Sequence, residues 1–141
     1  MIMIIIINKA KEVILMKNLK HSRQREALLE LLKSVNSHPT AEWLYSELKR
    51  EYTNLSLATV YRNLNLFCDT GEVIKFDAGD GVEHYDATTK QHCHFICKNC
   101  RNVIDIDVPL TDKLNSEAEK LNNILVSNNS LMFFGLCSKC K

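Results

Sequence analysis

Four of the six cysteines stand in two Cys-x-x-Cys units, Cys97-Lys-Asn-Cys100 and Cys137-Ser-Lys-Cys140. A two-residue spacer lets both sulfurs of a pair turn toward one ion, and two such turns complete a tetrahedron. The pairs lie about 40 residues apart, so a shared ion staples the last residues of the chain onto a distant strand. Four thiolates leave no open position for a substrate, so the expected Zn(II) is structural. The rival is a redox-active dithiol, which wants its pair at the start of a helix after a strand. Here Cys97 follows the strand-like His94-Phe-Ile and precedes Val103-Ile-Asp-Ile, which is a knuckle between two strands.

A chain of 141 residues makes one ordinary domain or two small ones. Each half has only a modest core, and a metal staple or dimerisation compensates for that. The net charge of +1 argues neither for nor against a nucleic-acid partner. The local basic excess lies in Lys9, Lys11, Lys17, Lys20, Arg23 and Arg25, against Glu12. Unpaired-looking cysteines in a zinc pattern point to a reducing, cytoplasmic setting. The isoleucine-rich start is far too short to span a bilayer and lacks the flanks of a signal peptide, so no membrane partner is expected. Residues 1–15 are expected to be an extension of little function, with Met16 the plausible start. The alternative is an extra helix over 9–19 lying on DNA or on a partner subunit.

The first half reads as three helices. Ser22 caps the first, with Ala27, Leu28, Leu31, Leu32 and Val35 at helical spacing. Pro39 breaks it, and Thr40 caps a second with Leu44, Tyr45, Leu48 and Tyr52 on one face. Ser56 caps a third that buries Leu57, Val60, Leu64 and Phe67. Two strands, 73–76 and 82–85, then flank a glycine-containing tip. Three helices and a hairpin are the order of a winged helix-turn-helix. The polar face of the third helix offers Ser56, Thr59, Arg62 and Asn63, with Tyr61 nearby and Arg23 from the basic stretch, to phosphates or base edges. Residues 87–90 read as a hinge between domains at 16–86 and 91–141. The second half reads as strand, knuckle, strand (103–108), helix (Thr111–Asn122), strand (124–127), turn and strand (131–136). The predicted fold class is therefore α+β: a winged helix followed by a small α/β dimerisation domain with a zinc-stapled sheet. Exposed strand edges in that second domain invite a second subunit.

A second constellation surrounds His92-Cys-His94. Residues i and i+2 of a strand share a face, so both imidazoles can reach one ion. Asp86 and Asp105 flank the pair in sequence, and the knuckle returns the strand of Asp105 beside His94. His38, before the second helix, is a candidate from the first half. Three imidazoles and two carboxylates suit Fe(II), Mn(II) or Zn(II). The plainer alternative, that His-x-His only surrounds the zinc knuckle and that the aspartates face water, stays open on spacing alone. Cys93 points to the opposite face and is left out. Cys68 reads as a small buried core residue.

Ser22-Arg-Gln-Arg25, His38-Pro-Thr-Ala41, Ser56-Leu-Ala-Thr-Val-Tyr-Arg-Asn-Leu64, His92-x-His94 and the two Cys-x-x-Cys pairs resemble the ferric-uptake-regulator family over about residues 20–140. The resemblance implies a homodimeric repressor that binds A·T-rich inverted repeats of double-stranded DNA when a regulatory metal is bound. It is similar above all to the peroxide-stress branch, which implies a regulatory site at His38, Asp86, His92, His94 and Asp105. It also implies that peroxide with Fe(II) adds oxygen to His38 or His92 and so releases DNA, whereas Mn(II) represses without reacting. Iron-uptake regulators usually carry glutamate where Asp105 stands. A further His/acid site of the family is expected to be absent, since Gln91 and Cys93 occupy its flanking positions. Cys93 stands where a bulky or acidic residue is more usual. No catalytic residue is expected, and the chain is read as a regulator rather than an enzyme. The runner-up is an iron- or zinc-dose-responsive uptake regulator of the same family.

Overall fold

The computed structural model describes residues 22–90, 92–109, 111–127 and 129–141. The expected extension at 1–15, the alternative helix at 9–19 and Gln91 lie outside the described residues. The chain divides into two compact units, one ending at Thr89 and one starting at Lys90.

The first unit contains α1 (Arg23–Ser34), α2 (Ala41–Leu48), α3 (Leu57–Asp69), β1 (Ile74–Asp77) and β2 (Glu83–Asp86). Each helix begins where a hydroxyl satisfies an orphan amide. Ser22 Oγ accepts from Arg25 N at 3.4 Å, Thr40 Oγ1 from Trp43 N at 3.3 Å, and Ser56 Oγ from Thr59 N at 3.2 Å. Such caps contribute about 1 kcal/mol each. The turn between α2 and α3 is closed by Tyr52 N donating to Leu48 O at 2.8 Å, and by Lys49 Nζ donating to Leu55 O at 2.7 Å. One apolar cluster unites the unit: Leu28 and Leu32 from α1, Leu44 and Leu48 from α2, Val60, Leu64 and Phe67 from α3, with Leu55, Val73 and Tyr85.

Local details differ from the sequence reading. Leu55, in the turn, is buried, whereas Leu57 is only half-buried. Leu57 opens α3 outside the cluster, and the turn folds Leu55 inward. The hairpin strands each begin one residue later than expected: Val73 N donates to Phe67 O at 3.2 Å and closes the end of α3, and the ladder ends at the Asp77–Glu83 pair. Cys68 is half-buried at the edge of the cluster, and burial raises its thiol pKa. Tyr52 lies past the end of α2 but still packs on the cluster.

The second unit contains β3 (Cys93–Cys97), β4 (Val103–Ile106), α4 (Thr111–Asn122) and β5 (Met132–Gly135). β3 is the central strand, antiparallel to β4 and parallel to β5. The parallel register sets Cys97 opposite Gly135, so the chain leaves β5 toward Cys137 at the same end where β3 delivers Cys97. Phe95 lies over Gly135, where an added Cβ would sit 3.3 Å from the ring, so glycine permits this approach. The expected strand at 124–127 does not form. Val126 N instead donates to Glu119 Oε1 at 2.9 Å, which ties this run to α4. The β4 strand ends at Ile106 rather than at 108, and β5 spans only Met132–Gly135.

Candidate metal centres

The four knuckle sulfurs lie within 4.8 Å of one another. Cys100 Sγ and Cys137 Sγ are 3.8 Å apart. Zinc–sulfur bonds of about 2.3 Å give a tetrahedron with edges of about 3.8 Å, so the set fits Zn(II). The surrounding amides already favour thiolates. Backbone N–H groups of Cys100 and Cys137 point at the Cys97 sulfur, the latter at 3.4 Å, and lower its thiol pKa to about 6. The Asn102 amide favours the Cys100 thiolate, but the Cys97 sulfur, burial and the other two thiols outweigh it and push Cys100 up to about 11. Asn99 Nδ2 donates to Cys140 Sγ at 3.3 Å. All six cysteines are free of disulfides.

A second donor cluster lies on the other face of β3, as the alternation of a strand requires. His92 Nε2 and His94 Nε2 are 3.0 Å apart. Asp105, paired with His94 across β3 and β4, brings Oδ1 to 3.3 Å from His92 Nε2 and 3.5 Å from His94 Nε2. Neighbouring ligands on an ion with bonds of about 2.1 Å stand about 3 Å apart, so these three donors match one coordination face. His92 Nδ1 lies 2.7 Å from Lys90 O, which selects the tautomer that turns an Nε2 lone pair toward the cluster. Cys93 is buried on the opposite face of β3.

In the first unit His38 and Asp86 form a smaller donor pair. His38 Nε2 is 3.5 Å from Asp86 Oδ2, and the two side chains are only 3% and 6% exposed. Thr88 N donates to Asp86 Oδ1 at 2.6 Å and orients the carboxylate. Nitrogen and carboxylate donors without sulfur, as in each of these two sets, suit Fe(II), Mn(II) or Zn(II).

The residues expected to touch DNA are placed unevenly. Thr59, Arg62 and Asn63 line a groove of about 520 Å³ with Ser22 and Arg25. The hydroxyls of Ser56 and Thr59 lie 2.8 Å apart, and Ser56 is committed to the cap. Tyr61 Oη donates to Glu42 Oε1 at 2.6 Å, which lowers the glutamate pKa and raises that of the phenol. Arg23 is exposed at the start of α1. Arg25, not singled out for DNA from the sequence, joins Arg62 in the groove; its place three residues after the Ser22 cap was the available signal. His84, also unassigned from the sequence, places Nδ1 2.8 Å from His38 O.

Residues 16–134 match the Ferric uptake regulator family. The peroxide-responsive repressor PerR of Staphylococcus epidermidis is 35% identical over 118 residues, which are 84% of this chain and 79% of the relative. The peroxide operon regulator of Bacillus subtilis is 37% identical, over 83% of this chain and 81% of its own length. The structure of the Campylobacter jejuni peroxide stress regulator superposes with a TM-score of 0.71 at 33% identity, covering 83% of this chain and 88% of that one. With its winged-helix order, its four-thiolate knuckle and its His/Asp donors, the chain belongs to the Ferric uptake regulator family.

Proposed function

We propose that this chain is a metal-dependent transcriptional repressor that senses peroxide through oxidation of a histidine ligand and then releases its operator. It is a regulator and not an enzyme, as its relatives are. The observation that carries the peroxide reading is Asp105 in register with His94, a carboxylate donor beside both imidazoles. Zn(II) at Cys97, Cys100, Cys137 and Cys140 is structural. The regulatory ion, Fe(II) or Mn(II), takes His38, Asp86, His92, His94 and Asp105 as ligands. Because these come from residues on both sides of the 87–90 hinge, the ion sets the relation between a DNA-binding domain at 16–86 and a dimerisation domain at 91–141.

Repression follows from that coupling. Arg23, Ser56, Thr59, Tyr61, Arg62 and Asn63 supply the DNA face, and a homodimer presents two such faces to an A·T-rich inverted repeat. Dimerisation has a basis in Ile104, Leu114, Phe133, Phe134 and Leu136 of the second unit, each more than a third exposed. Cysteines in a zinc-binding pattern support the reading of a reducing, cytoplasmic setting. No helix among the described residues is long and apolar enough to cross a membrane.

Fe(II) held by these residues would supply the redox chemistry that cleaves the peroxide O–O bond; one peroxide oxygen would go to His38 or His92, the other would leave as water, and the imidazole would be the group oxidised. An oxidised imidazole is a poorer donor, so affinity for the ion falls and DNA is released. Mass spectrometry of anaerobically Fe(II)-loaded protein after a peroxide pulse should find one added oxygen on the peptide of His38 or of His92. The Mn(II)-loaded control should show none. Unmodified histidines with iron bound would reverse the reading in favour of an iron- or zinc-dose regulator. Asp105→Glu should retain metal-dependent operator binding and blunt the peroxide response. A variant as peroxide-sensitive as the parent in an operator-binding assay would remove Asp105 as the discriminating ligand.

A further inference from the structure

His38 carries a φ of 50°, in the left-handed region that costs a non-glycine residue about 1–2 kcal/mol. It also precedes Pro39, and a proline pushes the residue before it toward extended backbone. The conformation that aims this imidazole is therefore not one the dipeptide chooses by itself. Three contacts from β2 hold it: the bridge between Thr40 and His84, Tyr85 N donating to Pro39 O at 3.0 Å, and His84 Nδ1 at 2.8 Å from His38 O. Of these three the last comes from a side chain and meets the His38 carbonyl, whereas Asp86, also of β2, meets the His38 ring.

His84 is in turn gripped from the hairpin tip. Its Nε2 lies 3.0 Å from Asp80 Oδ2, and its ring stacks on Phe76 at 5.9 Å, which meets His38 edge-on at 5.6 Å. Asp80 is oriented by Val82 N donating to Oδ1 at 3.1 Å. Asp77 Oδ1 ties the same tip by accepting from the amides of Gly79, Asp80 and Gly81 at 2.7, 3.2 and 3.1 Å. A continuous chain of hydrogen bonds thus runs from the tip of the wing to the backbone of His38.

We infer that His84, held by Asp80, is a positioning residue for His38, so that the wing turn sets metal affinity and metal occupancy steadies the wing. The second half follows from the reciprocity of coupled equilibria. The inference rests on His38 being a ligand, as proposed above. Residues that orient a ligand without touching the metal are worth 10–100-fold in affinity.

The test is Mn(II) affinity of the full-length, zinc-loaded protein, read from the electron paramagnetic resonance of free Mn(II), with zinc content and thermal midpoint measured alongside. His84→Leu removes the donor and should weaken Mn(II) by about 10-fold or more. His84→Asn sets an amide nitrogen near the place of Nδ1 and should restore most of that affinity. Asp80→Asn, at an exposed position, should give a smaller loss in the same direction and decides the matter if His84→Leu fails to fold. Parental affinity in His84→Leu or Asp80→Asn, or equal losses in His84→Leu and His84→Asn, would overturn the inference. His38→Ala separates the two claims: parental affinity there removes the ligand assignment itself, whereas a loss there with none in His84→Leu removes only the positioning role.

Discussion

Zinc removal is expected to unfold the second unit while the first keeps its fold. The united apolar cluster of eleven buried residues belongs entirely to the first unit. Among the described residues the second unit buries Cys93, Ile96, Cys97, Val103 and Cys137 as its apolar side chains, and two of these five are zinc ligands. Burying an Ile or Val contributes about 1.5–3 kcal/mol, whereas a structural zinc contributes an apparent 10–16 kcal/mol at neutral pH. The metal term therefore exceeds what that small core supplies. Cys137→Ser should abolish dispersed amide resonances across 92–141 and leave those of 22–89 in place. A dispersed second unit in the zinc-free variant would show that the sheet folds without its staple. The same centre should lose zinc more readily as pH falls. Protons compete with the ion for its thiolates, so zinc released to a chelator should rise as pH falls.

His94→Ala is expected to weaken the regulatory ion by more than about 100-fold, since even residues that merely orient ligands cost 10–100-fold. His94 lies in the central strand β3 with its side chain 5% exposed, and its Nε2 reaches both His92 and Asp105. Truncation removes a donor that no neighbour can replace and leaves a cavity in the buried side of the strand. By linkage, the metal-dependent part of operator affinity should be lost with it at fixed Mn(II). A hundredfold loss corresponds to about 2.8 kcal/mol. Zinc content should stay at the parental value, because His94 and Cys97 lie on opposite faces of β3. Fluorescence anisotropy on operator DNA with and without Mn(II), beside metal analysis, checks both statements. Parental Mn(II)-dependent binding by His94→Ala would remove this cluster from the regulatory role.

The parts readable from the chain are those whose causes are local. Ser22, Thr40 and Ser56 mark helix starts because a capping hydroxyl acts on an amide three residues away. The knuckles are legible because two-residue spacers set sulfur geometry within a single turn, and His92 with His94 because strand alternation puts them on one side. The return of Asp105 to His94 also follows locally, since the turn at Cys97–Cys100 has room only for an antiparallel reversal. His38 entered the ligand set from far away in sequence, carried mainly by the family resemblance.

Strand partnership was not legible in the same way. The run at 124–127 has strand composition and forms no strand; its Val126 amide goes to Glu119 of α4 instead of to a strand neighbour. The parallel pairing of β3 with β5, which carries Cys137 to Cys97, is likewise a contact between distant segments. His84 shows the same limit: as one residue of a hairpin it is unremarkable, and only closure of β2 against the 38–40 loop sets its ring on the carbonyl of His38. Ligand type, helix caps and turn chemistry are properties of a few neighbouring residues. Sheet order and the support behind a ligand depend on which distant segments win the same edge, a competition settled by the packing of the whole unit.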